Sequence, residues 1–163
     1  VKEILKSRGL EYKQSIKNTL KERYVRTMSR DVRALPGVYD LLGEVSKNLK
    51  VGLATNSRHR EVEIIFDKLG FHEYFHLKLA RDHVKKGKPD PEIYLKAADT
   101  FGVHPLECVV FEDSIIGLKA AKNAGMKRIA IVNTYSREEL ADEADLVIDG
   151  YRDIDLSKIL KLG

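Results

Sequence analysis

Two adjacent carboxylates, Glu112 and Asp113, stand directly after the apolar run Val109-Val110-Phe111 and directly before Ser114. A helical pattern, Ile115 to Ala124, follows and is closed by Gly125. A buried strand running into a helix delivers the acidic pair to the strand's C-terminal end, where parallel α/β sheets place their ligands. Paired carboxylates at such a rim suit a hard divalent cation such as Mg²⁺, which takes oxygen ligands and often keeps a phosphate in its shell. The competing use of such a pair is to cap the next helix.

Two further segments bear on that choice. Val51-Gly52-Leu53-Ala54 reads as an apolar strand that ends in Thr55-Asn56-Ser57-Arg58, and a helix from Glu61 to Leu69 follows. Hydroxyl and amide groups at a helix N-terminus, with free backbone N–H groups, form a phosphate cradle. The plainer reading is a Ser57 or Asn56 N-cap. The second segment is Lys85-Lys86-Gly87-Lys88-Pro89-Asp90-Pro91-Glu92. Asp90 reads as an N-cap, Pro91 as the first helical residue and Glu92 as a first-turn acid. Lys88 sits in the turn before that helix. In solvent it would be an ordinary surface lysine; beside a phosphate and two carboxylates it would be a fixed cationic clamp.

The elements that must position these residues alternate. Helix is expected over Val1–Ser7, along the four-residue recurrence Tyr12, Ile16, Leu20, Tyr24, Met28, from Pro36-Gly37 to Val45, over Arg58–Leu69, over Pro91–Phe101 and over Leu156–Leu160. Strands are expected over Asn48–Ala54, Tyr74–Ala80 at a sheet edge, Val109–Phe111, Ile129–Val132 and Leu146–Ile148. Strands separated by helices imply an α/β fold with a doubly wound, mostly parallel sheet. At 163 residues the chain can bury a real core. Its 43% hydrophobic and 33% charged content fits a soluble globular protein, and no apolar run reaches the length of a membrane span. No signal peptide is visible and Cys108 is the single cysteine, so a cytoplasmic location is expected, with Cys108 in the core.

The net charge of +4 is modest, and the basic residues Lys13, Lys17, Lys21, Arg23, Arg26, Arg30 and Arg33 read as a solvated helix face. Nucleic acid would call for a tighter basic stripe with interleaved aromatics. The scattered histidines His59, His72, His76, His83 and His104 fit surface or turn positions. Gly87-Lys88 is not a Walker loop, because the upstream glycine and the following Ser or Thr are missing.

Taken together, these segments resemble the haloacid dehalogenase-like hydrolases, in the branch of β-phosphoglucomutase and phosphoglycolate phosphatase. The likeness rests on Leu35-Pro36-Gly37-Val38 with Leu41-Leu42; on Leu53-Ala54-Thr55-Asn56-Ser57; on Gly87-Lys88-Pro89-Asp90-Pro91-Glu92-Ile93-Tyr94; and on Val110-Phe111-Glu112-Asp113-Ser114 with Gly117, Ala120-Ala121 and Ala124-Gly125. It runs from about Leu35 to the C-terminus. The resemblance implies a Rossmann-like core over 34–163 and a partial helical cap over 1–33. It implies a Mg²⁺-dependent phosphatase or phosphomutase acting on a small phosphorylated metabolite, with no nucleic acid and no membrane as partner. Thr55 and the Asn56 N–H would hold phosphate oxygens, and Lys88 would offset their charge. Asp113, helped by Glu112, would hold Mg²⁺. Ser57 and Arg58 would touch a second, distal phosphate, as in the mutase branch.

One expected part is absent. The family's nucleophile is an aspartate in D-x-D-G-[TV] at the end of the first strand, and no such motif stands upstream of Leu35. The only D-x-D, Asp153-Ile154-Asp155, is followed by Leu156-Ser157 and lies in a turn before the last helix. In the family the missing strand is the middle of the sheet, between the strands ending at Thr55 and Asp113. The sheet is therefore expected to close directly, to borrow an N-terminal strand, or to use a segment outside this sequence. A fragment, a mis-started reading frame and a true protein without its catalytic strand all fit. The 163-residue chain by itself is expected to be inactive. The alternative is a non-catalytic phosphate-binding or interaction protein of the same fold. A receiver-type signalling domain fits poorly, since receivers carry their acidic pair early in the chain.

Overall fold

Short apolar strands and amphipathic helices alternate along the chain and build parallel ladders with helices on both faces. The computed structural model describes residues 32–162. The chain divides into two compact units, Val1–Arg33 and Ala34–Gly163, and every element named below belongs to the second. The helices expected over Val1–Ser7 and Tyr12–Met28, with their basic residues up to Arg30, lie outside the described residues.

The helices are α1 (Val38–Val45), α2 (His59–Leu69), α3 (Glu92–Phe101), α4 (Ile115–Asn123), α5 (Arg137–Ala141) and α6 (Leu156–Leu160). The strands are β1 (Gly52–Ala54), β2 (Leu77–Leu79), β3 (Val109–Glu112), β4 (Lys127–Ile131) and β5 (Leu146–Ile148). β1 pairs with β2 in parallel, with Gly52 opposite Leu77 and Ala54 opposite Leu79. β3, β4 and β5 form a second parallel ladder, with Val109 opposite Lys127 and Ile129 opposite Leu146. Helices α2, α4 and α5 make the crossovers that parallel neighbours require.

β4 shows why both faces are covered. Its side chains alternate, as strand geometry demands. Ile129 and Ile131 pack toward Leu41 and Val45 of α1 and Ile159 of α6. Ala130, on the other face, packs against Leu118 of α4 and Leu140 of α5. β3 alternates in the same sense: Val110 joins Ile93 and Tyr94 of α3 and Ala120 and Ala121 of α4, while Phe111 faces the α1 side. Leu79 of β2 belongs to the same cluster as Val110, so α3 and α4 join the two ladders through one apolar core. α2 follows its own stripe, burying Val62 and Phe66 against Ala80.

β1 is shorter than the expected Asn48–Ala54 and starts at Gly52. Just before it, the Val51 N–H donates to His76 Nδ1 at 3.0 Å and the Val51 carbonyl accepts the His76 N–H at 2.8 Å. β2 is also shorter than expected, covering Leu77–Leu79 after the 3₁₀ turn Phe71–Glu73. His83 and His104 also accept backbone N–H groups through Nδ1, which gives them the turn roles expected of them. Cys108 packs at the margin of the α3–α4 core and is half-buried.

Among the described residues, β1 and β3 share no ladder. β1 pairs only with β2, and β3 only with β4, so each keeps one edge without a strand partner there. No described helix is long and apolar enough to cross a membrane.

Candidate functional site: a lysine between two strand ends

Lys88 is the centre of the arrangement. It is not the solvated lysine of the plain reading, since its side chain is only 6% exposed. Its Nζ donates to the Ala54 carbonyl, the last of β1, at 2.9 Å. The same ammonium is ion-paired with Glu112 Oε1 at the end of β3. One cation thus ties together the C-terminal ends of two strands that share no ladder. Lys88 also lies over the Tyr94 ring, 4.7 Å from its centroid.

The lysine's loop is pinned from three sides. Glu92 accepts the Lys85 and Lys86 N–H groups, each at 2.8 Å. Those two donors hold the Glu92 carboxyl below its ordinary range. Arg81 donates to the Val84 and Lys85 carbonyls. The Asn56 carboxamide meets the backbone of Lys88 itself. α3 starts one residue later than expected, at Glu92, with Pro91 in the cap position. Asp90 still acts as a cap, because its Oδ1 accepts the Glu92 N–H at 3.0 Å.

After β1 the chain turns through Thr55, whose Oγ1 accepts the Ser57 N–H at 3.1 Å. The N-cap of α2 is Arg58, so neither Ser57 nor Asn56 fills that place. Asn56 turns its side chain to Lys88 instead, and its own N–H takes no partner among the described residues. The first N–H of α2, on His59, is taken by Asp82 Oδ1 at 2.9 Å, and that bond holds the Asp82 carboxyl low. What stays available for an anion is the Asn56 N–H, the Thr55 and Ser57 hydroxyls and the Arg58 side chain.

The two carboxylates lead different lives. Glu112 is 10% exposed and both its oxygens are engaged. Oε1 receives Lys88 and the Tyr94 hydroxyl at 2.7 Å, and Oε2 receives the Ser114 hydroxyl at 2.8 Å. Burial and this carboxylate push the Tyr94 phenol far up, so it stays a donor at every working pH. Ser114 also accepts the Gly117 N–H as the N-cap of α4. Gly117 is glycine for a steric reason: a Cβ there would stand 2.1 Å from the Glu112 carboxyl carbon. Asp113 has one oxygen committed, Oδ2, which receives Asn133 Nδ2 at 2.9 Å and Thr134 Oγ1 at 3.0 Å. Oδ1 has no partner among the described residues. The cation role expected for both acids thus meets one carboxylate with an open oxygen and one without.

The fit to Mg²⁺ follows from donor chemistry. Asp113 Oδ1 is a hard anionic oxygen held at a strand end by fixed partners, as such an ion requires. No group of three or more His, Cys, Asp or Glu side chains gathers among the described residues, so their contribution is a partial shell. The Asp153–Asp155 motif is spent on local structure. Asp153 Oδ2 accepts the Asp149 and Gly150 N–H groups, and Asp155 caps α6 through the Lys158 N–H.

The sequence pattern of the family described as haloacid dehalogenase-like hydrolase matches residues 1–131. The chain belongs to the haloacid dehalogenase-like hydrolases. It is 43% identical over 125 residues to a phosphorylated carbohydrates phosphatase of Thermotoga maritima, a match covering 74% of this chain and 58% of that one. It is 38% identical over 98 residues to the β-phosphoglucomutase of Bacillus subtilis, covering 60% and 42% of the two chains. Among solved structures, a mutant of CbbY from Rhodobacter sphaeroides in complex with xylulose-(1,5)bisphosphate superposes with a TM-score of 0.79 at 31% identity, covering 89% and 67%. The chain therefore spans less than two thirds of the length of these curated relatives.

In this haloacid dehalogenase-like chain the roles of four residues of the site escaped the sequence reading. Asn133 and Thr134 hold Asp113, and a signal for them existed: they stand two and three residues after the end of β4. Tyr94 closes the segment that begins at Gly87 and carries the family likeness, yet nothing in its spacing marks the hydroxyl as a Glu112 partner. Tyr151 stacks near Phe111 with centroids 6.3 Å apart. Burial first, then Asp113 and Glu112, push its phenol above the usual value.

Proposed function

We propose that this chain carries the phosphate-binding and cation-holding part of a Mg²⁺-dependent phosphoryl-transfer site for small phosphorylated metabolites, sugar phosphates in class. The observation that carries this is Lys88, buried between the end of β1 and Glu112, with the open Asn56 N–H on one side and the open Asp113 oxygen next to Glu112. The names of the relatives, a carbohydrate-phosphate phosphatase and a sugar phosphomutase, support the substrate class.

Each residue has a task that its setting supports. Thr55 and the Asn56 N–H receive phosphate oxygens, while Ser57 and Arg58 reach a more distal phosphate. Lys88 places a fixed positive charge where negative charge gathers on the phosphoryl oxygens, and it does so with little reorganisation. Glu112 keeps that ammonium in place and compensates it inside the protein. Asp113 Oδ1 holds Mg²⁺, with Asn133 and Thr134 fixing the other oxygen. When bound, Mg²⁺ supplies charge neutralisation on the phosphoryl group. Attack on phosphorus belongs to an aspartate on a further strand, by resemblance to the family. Besides Asp113, Asp82 and Asp149 follow strands among the described residues, but Asp82 accepts the His59 N–H and Asp149 pairs with the Arg137 guanidinium. On this reading the described residues bind phosphate and cation, and turnover calls for that further aspartate.

Calorimetry tests the cation role. Mg²⁺ should bind the wild-type chain and bind Asp113→Asn at least about tenfold more weakly, since a charged oxygen is lost from a hard-ion shell. Equal affinities would remove Asp113 as a ligand. Inorganic phosphate should bind wild type and bind Lys88→Ala at least about tenfold more weakly, and equal binding would remove Lys88 from the site.

A further inference from the structure

We propose that Asn56 is a positioning residue: its carboxamide fastens the lysine loop to the loop after β1 and so sets where the Lys88 ammonium stands. The inference rests on the phosphate-site reading above and assigns the side chain that aligns its two halves. Asn56 Oδ1 accepts the Lys88 N–H at 3.0 Å. Asn56 Nδ2 donates to the Lys88 carbonyl at 3.3 Å. One side chain thus satisfies both main-chain groups of a residue 32 positions away.

The other anchors of that loop act elsewhere. Arg81 and Glu92 hold Val84, Lys85 and Lys86, upstream of the lysine. Pro89, next in the chain, has no N–H to offer. Among the described residues, the backbone of Lys88 is held by Asn56 alone. The tip of Lys88 is held separately, by Ala54 and Glu112. Base and tip together leave the ammonium a single place.

A second observation is independent of those bonds. A Cβ on Gly87 would lie 2.7 Å from Asn56 Oδ1 and 2.9 Å from Arg81 Cδ. The loop bears a glycine where the carboxamide approaches, so the close packing of the two loops is built from both sides. The chemistry also asks for asparagine. Aspartate could accept the Lys88 N–H but could not donate to its carbonyl. The Asn56 N–H remains open, so the residue offers its main chain to an anion and its side chain to the lysine loop.

The test is lysine labelling of the 163-residue chain, read residue by residue by mass spectrometry. In wild type Lys88 should react slowly, as its 6% exposure implies. In Asn56→Ala its rate should rise roughly tenfold while other lysines keep theirs, because two modest hydrogen bonds no longer hold the loop closed. An unchanged Lys88 rate in folded Asn56→Ala overturns the proposal. Should that variant unfold, with all lysines labelling together, Gly87→Ala decides, since it displaces the same carboxamide and must raise Lys88 labelling selectively. A Gly87→Ala chain with wild-type Lys88 labelling overturns the proposal too. Inorganic phosphate titration adds a separate arm. Asn56→Ala/Lys88→Ala should bind no more weakly than Lys88→Ala, because Asn56 acts through the lysine. Additive losses would show an independent role and overturn it. A wild-type chain that does not bind phosphate would defeat the proposed function, and the labelling would still judge Asn56.

Discussion

A buried lysine needs its counter-charge, and here that is Glu112. Removing one member of a buried ion pair leaves the other uncompensated, at a cost of about 3–5 kcal/mol. Glu112→Gln keeps the shape and loses the charge, so urea unfolding should show a loss of that order, with the m-value unchanged. Tyr94→Phe removes one hydrogen bond to a carboxylate that keeps its other donors, and should cost about 1–2 kcal/mol. If the Glu112 variant were as stable as wild type, the ion pair at the strand ends would be dispensable. At this scale the sequence showed residue types and hid partnerships. Lys88, Glu112 and Thr55 announce themselves by position at strand ends and turns. Asn56 was legible only for its N–H; its side-chain contact was not, because it spans 32 residues and its type fits a helix cap equally well. Gly117 is similar: its spacing from Glu112 is plain in the sequence, but the reason for it is a close approach that only three dimensions reveal.

Elements were legible where periodicity and capping agreed. α2, α3 and α6 begin and end within a residue or two of expectation, because each joins an apolar stripe to a strong stop or start. β1 and β2 were overextended, since apolar runs do not mark where regular pairing begins and ends. β4 and β5 are locked at their start by Arg128 and Asp145. The Arg128 guanidinium and N–H both reach the Asp145 carboxylate, and the Asp145 N–H donates back to the Arg128 carbonyl at 2.9 Å. Arg128 holds the Asp145 carboxyl below its ordinary value. A carboxyl depressed on folding contributes stability that is present above its unfolded pKa, near 4, and is lost as pH falls through the lower folded value. Asp145→Asn should therefore be less stable than wild type at pH 7, and the gap should close below about pH 4. A gap of the same size at acid and neutral pH would mean that the pairing at this strand start is not electrostatic.

At the largest scale the decisive feature is the pair of ladders that do not meet among the described residues. β1 and β3 each present an edge without a strand partner among the described residues, and such edges are templates for pairing. Lys88 reaches across their ends with one ammonium, which a strand laid between them would bring close to any residue it carried at its own C-terminal end. By resemblance to the family that residue is the first aspartate of D-x-D-G-[TV]. A chain extended at its N-terminus by such a strand should hydrolyse p-nitrophenyl phosphate or a sugar phosphate with Mg²⁺, whereas the 163-residue chain should not turn over. In the extended form Lys88→Ala should lower kcat by about 10²–10³-fold, the usual cost of one preorganised charge-stabilising donor. Metal removal by chelation should abolish the activity reversibly. Two results would break this account. Robust turnover by the 163-residue chain that Asp153→Asn or Asp155→Asn abolishes would move the nucleophile to the last turn, where both aspartates now serve as caps. An extended chain with normal Mg²⁺ affinity but no turnover would show that the two strand ends hold phosphate and cation without presenting them to an attacking carboxylate.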